Sequence, residues 1–251
     1  MTFMTQRLLR WVQGPARPAL SLSAGALCVI WLFAAAVPCR ADFISYYHTQ
    51  PGAVNPADGK PVNAGATFAA DGTMLTITLA NLVTDPTAVS QNLSGLSFTF
   101  TTGETAGTLV SSTADFIRIG RQHSVTADGS GSAGWDLLTG FAGGLRLDLL
   151  GSEVVPAHTI IGPPGVGGMY DSANRSLAGN APHNPFIDQT ATFVLNVPIS
   201  EGTRIDEVIF SFGTALGQDA TGTQPVPEPA SLLLFGTGLG WLGLRRWHKS
   251  S

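Results

Sequence analysis

The sequence predicts an all-β fold, an antiparallel β-sandwich of the jelly-roll or Ig-like kind. Three observations carry that expectation. Apolar and polar residues alternate with period two in several short runs, and Gly, Asn, Asp and Pro separate those runs. No segment between residues 42 and 225 sustains a capped helical period. Neighbouring side chains of a strand point to opposite faces, so each run offers one face to a core and one to water. Packing two such sheets face to face buries the apolar sides.

Taken in chain order, Leu75, Ile77 and Leu79 share one face while Thr76 and Thr78 take the other. Leu96, Phe98 and Phe100 alternate with Ser97, Thr99 and Thr101, and Leu145, Leu147 and Leu149 with Arg146 and Asp148. Phe193, Leu195 and Val197 form a fourth face, and Val208, Phe210 and Phe212 a fifth. Shorter strands are expected near residues 116–119 and 159–161. The Gly- and Pro-rich stretches 48–65 and 151–189 read as long loops, a length that goes with function or mobility. The predicted β domain covers residues 42–217. The sequence QDATGTQP at 218–225 has few apolar groups and reads as a linker.

Both ends of the chain differ in character from this middle. Residues 1–19 carry Arg7, Arg10 and Arg17 and no acid, and residues 20–37 form an apolar run of 18. Cys39-Arg40-Ala41 then places small residues where a signal peptidase needs them, for a cut between Ala41 and Asp42. Residues 1–41 are therefore expected to be a signal helix that directs export through Sec and is removed.

Charge follows the same partition. Residues 42–225 hold six basic and sixteen acidic residues, a formal net charge of −10. Such a module repels phosphate backbones, which argues against nucleic acid as a partner. Both cysteines, Cys28 and Cys39, fall within the leader, so the mature domain has no disulfide, thiolate nucleophile or cysteine metal site.

At the other end, Val226-Pro227-Glu228-Pro229 precedes an apolar run, and Arg245, Arg246 and Lys249 follow it. The two prolines keep Pro-Glu-Pro extended and outside the following helix. Residues 230–244 would make a transmembrane helix of only about 22 Å, against a hydrocarbon core of about 30 Å. Four glycines weaken it further. A short, weak span suits a temporary stop. Arg245 and Arg246 would hold its end on the cytoplasmic side.

This order of parts in residues 226–251 resembles the PEP-CTERM sorting signal. The resemblance implies that a membrane-embedded exosortase is the processing partner and that Pro227, Glu228 and Pro229 are its recognition residues. It also implies an inner-membrane intermediate followed by the cell surface or matrix of a Gram-negative bacterium that makes extracellular polysaccharide. The expected role is structural or adhesive, in biofilm or exopolysaccharide.

Candidate chemistry within the domain is sparse. Asp128 and Asp136 flank a Gly-rich stretch, as in some calcium loops, but two carboxylates fall short of the six to eight oxygens calcium takes. A turn explains that stretch more simply. Trp135, Tyr46 and Tyr47 are candidate sugar-stacking groups, with core packing as the simpler account. They support an alternative reading, a carbohydrate-binding module for the cell's own polysaccharide. Thr76/Thr78 and Thr99/Thr101 would be the elements of a flat threonine face. No Gly-x-Ser-x-Gly elbow, Walker loop or His-Glu-x-x-His helix is present, and no catalytic residue, cofactor or metal is expected. A secreted hydrolase would need carboxylates or a His–carboxylate pair to meet in a cleft.

Overall fold

The computed structural model describes residues 43–224. Twelve strands run through them: β1 (Phe43–Thr49), β2 (Ala64–Asp71), β3 (Met74–Asn81), β4 (Leu93–Phe100), β5 (Thr108–Ile119), β6 (Val125–Gly131), β7 (Asp136–Phe141), β8 (Gly144–Asp148), β9 (Ile160–Ile161), β10 (Phe186–Asn196), β11 (Ile205–Phe212) and β12 (Asp219–Thr223). A 3-10 turn (Val89–Gln91) leads into β4. No helix among the described residues is long and apolar enough to cross a membrane. The two helices expected at the termini lie outside the described residues.

The all-β expectation holds, but the two-sheet sandwich gives way to a closed path. The strands form one sheet in the order β6-β5-β10-β3-β2-β1-β12-β11-β4-β8-β7. β9 closes it: Ile160 pairs in parallel with Ile187 of β10 and antiparallel with Leu93 of β4. The result is an eight-strand barrel, β10-β3-β2-β1-β12-β11-β4-β9, extended by β5–β6 beyond β10 and by β8–β7 beyond β4. Closure satisfies edges that separate sheets leave open. The two-residue closing strand is too short to show as a periodic signal.

The period-two faces pack as expected. Leu75, Ile77 and Leu79 of β3, Phe193 and Leu195 of β10, and Phe210 and Phe212 of β11 are fully buried in the main core. Phe68 stands edge-on to Phe98 at 5.2 Å, and Phe98 to Phe100 at 5.5 Å, the offset geometry aromatic rings prefer. A smaller cluster of Ile117, Ile119, Ile161, Tyr170, Leu177 and Phe186 lies under the segment that joins β9 to β10.

Three regions differ from the sequence reading. Arg146 and Asp148, expected on a wet face, are both buried: the Arg146 Nε–H donates to Asp148 Oδ1 at 3.1 Å, and the Phe141 ring lies 5.0 Å from the guanidinium. The 151–189 stretch contains β9 and is tied down rather than free. Its Tyr170 hydroxyl donates to the Gly162 carbonyl at 2.8 Å, and the Ser172 hydroxyl donates to Asp85 at 2.6 Å. The expected linker is instead β12, paired to β11 and β1. Its composition misleads because Gly222 has to be bare: a Cβ there would lie 2.9 Å from the Phe210 ring and 3.1 Å from Val208.

Candidate functional site

The sequence singles out residues that the fold scatters. Trp135 is 2 % exposed, packs 5.4 Å from the Phe193 ring and donates its indole N–H to the His158 carbonyl at 3.0 Å. Tyr47 is 3 % exposed, and its hydroxyl donates to the Ile205 carbonyl at 2.7 Å while accepting from Gln224 Nε2 at 2.8 Å. Burial raises the Tyr47 phenol above its ordinary value, and the Gln224 hydrogen bond opposes part of that rise. Neither ring offers a face to solvent. Tyr46, the preceding residue on β1, points outward and is 42 % exposed.

Asp128 and Asp136 do not frame one turn. Asp128 lies on β6, where Arg118 Nε is 2.8 Å from its carboxylate, and Asp136 opens β7. These are the two outermost strands of the sheet order. No group of three or more His, Cys, Asp or Glu side chains that could hold a metal forms among the described residues. Ala41, Asp42, Pro227, Glu228, Pro229, Arg245 and Arg246 lie outside the described residues.

Sequence reasoning missed what strand register assembles. Antiparallel pairing sets Tyr46 opposite Thr67, Thr67 opposite Thr78, Thr78 opposite Thr192, and Thr192 opposite Thr113. Residues directly opposite one another share a face, so one tyrosine and four threonines line up across five strands. Adjacent strands are about 4.8 Å apart, which makes the row about 19 Å long. Among the described residues, the four threonine hydroxyls make no hydrogen bond to another protein group. Thr78 belongs to this row. Thr99 sits on β4, which is separated from β3 by β9 and β10 one way round the barrel and by four strands the other, so the two threonine pairs are not neighbours.

Both ends of the row have relief. Tyr46 reaches over Gly65: a Cβ there would lie 2.9 Å from the phenol oxygen and 3.4 Å from the ring. Beside it opens a cleft of about 500 Å³ lined by Ile44, Tyr46, Arg204 and Gln224. At the far end a cleft of about 440 Å³ is lined by Thr113, Asp115, Ser130, Thr190 and Thr192. It lies at a β-bulge, where three β10 residues between Ile187 and Ala191 face one residue of β5. Gln189 there has φ +61°, a conformation costly for a residue with a side chain. The Ser130 hydroxyl donates to Asp115 Oδ1 at 2.5 Å.

Comparison with known proteins bears on the C-terminal segment. Residues 225–246 match the family model of the PEP-CTERM protein-sorting motif. The chain carries a PEP-CTERM sorting motif. The match begins directly after Gln224, the last described residue and one that lines the Tyr46 cleft. A PEP-CTERM motif implies an exported protein, processed by an exosortase and attached to the membrane before it reaches the cell surface. No curated protein and no solved structure matches the chain.

Proposed function

We propose that this chain is a non-catalytic component of the extracellular matrix, exported through Sec, held for a time by its C-terminal apolar segment, and released to the surface by an exosortase. The PEP-CTERM motif at residues 225–246 carries this reading. The proposed signal at 1–41 supplies the export step, and the β domain is the delivered cargo, with a structural or adhesive role in biofilm or exopolysaccharide of a Gram-negative bacterium. A closed barrel that presents threonine hydroxyls across four neighbouring strands suits binding and scaffolding.

The test is a triple variant, Pro227→Ala, Glu228→Ala and Pro229→Ala, expressed in the native host and fractionated into membrane, surface and medium. The reading predicts accumulation in the membrane fraction with the surface form lost. A variant that reaches the surface as efficiently as wild type would remove the sorting step from the account.

A further inference from the structure

Most exposed surfaces of soluble proteins carry mixed charge. The row from Tyr46 to Thr113 departs from that pattern: it contains no charged residue, although the domain has a formal net charge of −10. What it offers is an aromatic ring followed by Thr67, Thr78, Thr192 and Thr113, whose hydroxyls pair with no other group among the described residues. At the end of the row Asp115 stands in the bulge cleft.

We propose that this face binds an extended, uncharged polysaccharide laid across the strands. Tyr46 lies over bare Gly65 backbone and gives a ring on which the apolar C–H face of a pyranose can rest. A hydroxyl both donates and accepts, so evenly spaced threonines match a polymer whose own hydroxyls do the same. A carboxylate has room for two donors at once, and Ser130 occupies only one oxygen of Asp115. Neutrality of the ligand follows from charge. A polyanion would meet an acidic domain, and Arg204 in the Tyr46 cleft is engaged elsewhere, 5.7 Å from the Phe43 ring centroid and donating to the Thr203 carbonyl at 2.7 Å. The inference deepens the matrix reading above by naming what the cargo holds, yet binding and sorting fail independently. A protein that is sorted but does not bind sinks only this proposal.

Affinity electrophoresis of the full chain in mild detergent provides the test. The gels contain mixed-linkage β-glucan, galactomannan, dextran, or the neutral polysaccharide washed from host cells, with alginate as the polyanionic comparison. Retardation by at least one neutral polymer and none by alginate is expected. Tyr46→Ala should weaken it about tenfold, and the Thr78→Val/Thr192→Val double variant about threefold to tenfold. Valine keeps the β-branch and so keeps the strand. Leu138→Ser on β7, whose side chain is not in the row, should bind as wild type, and melting curves should confirm that all variants fold. Retardation by no neutral polymer, retardation by alginate alone, or retardation that survives both the Tyr46 and the threonine substitutions would overturn the proposal. A dimer that dissociates in Tyr46→Ala without any sugar effect would do so too, assigning the face to self-association.

Discussion

Arg146 holds its guanidinium inside the protein with Asp148 as counter-charge: Nη2 is 3.1 Å from Oδ1, and Asp148 Oδ2 accepts the Gly151 N–H at 3.0 Å. Nη1 donates to the Ser97 hydroxyl at 3.3 Å. A buried pair adds little over well-packed apolar residues, but breaking one half strands the other charge. Asp148→Ala should therefore destabilise the domain by about 3–5 kcal/mol in urea denaturation, while the Arg146→Met/Asp148→Leu double variant should recover most of the loss. Equal losses in both would contradict the ion-pair account. Tyr170 gives a second prediction at this scale. Burial first, then the carboxylates of Asp188 and Asp85, raise its phenol well above the ordinary 10.0. The folded state thus keeps a proton that the unfolded chain releases, so stability is complete below pH 10 and falls as pH climbs above it. Tyr170→Phe should flatten that alkaline fall in the melting temperature. An unchanged slope would place its origin elsewhere.

Among the elements, those built from large aliphatic and aromatic alternation are legible in the sequence. β3, β4, β8, β10 and β11 announce themselves through residues such as Ile77, Phe98, Leu147, Phe193 and Phe210. β12 does not, because its place depends on the bare Gly222 fitting against Phe210 and Val208 rather than on side chains of its own. β9 does not either. Two isoleucines carry no period, and their meaning comes from partners at Leu93 and Ile187, far away in sequence. The threonine row is hidden for the same reason, since each strand contributes one member and register alone aligns them. Closure by β9 is open to a direct test at Gly162, where a Cβ would stand 2.0 Å from the Val83 carbonyl oxygen. Gly162→Ala must displace backbone, so a loss of about 1–3 kcal/mol or more is expected, with faster amide exchange concentrated at Ile160, Ile187 and Leu93. Exchange that rises evenly over the whole barrel would argue against a local seam.

For the whole molecule, the sorting motif at residues 225–246 bears on where the chain goes. The proposed signal at 1–41 would supply the export step, and the barrel would be what is delivered. The sorting tail can be read from sequence because its order of stiff, apolar and basic parts is local and needs no fold. Sequence offers three aromatics as candidates for sugar contact, with core packing as the simpler account. The fold places Trp135 and Tyr47 in the core, as that simpler account expects, and leaves Tyr46 at the surface. The central claim is that this barrel is cargo, cut free at both ends. Intact mass spectrometry of the protein from its native host, separated into membrane, surface and medium, measures that directly. The account predicts a surface or medium form that starts at Asp42 and ends within 226–229. A membrane species that keeps residues 232–251 while exosortase is present, with no shorter form outside, would contradict it.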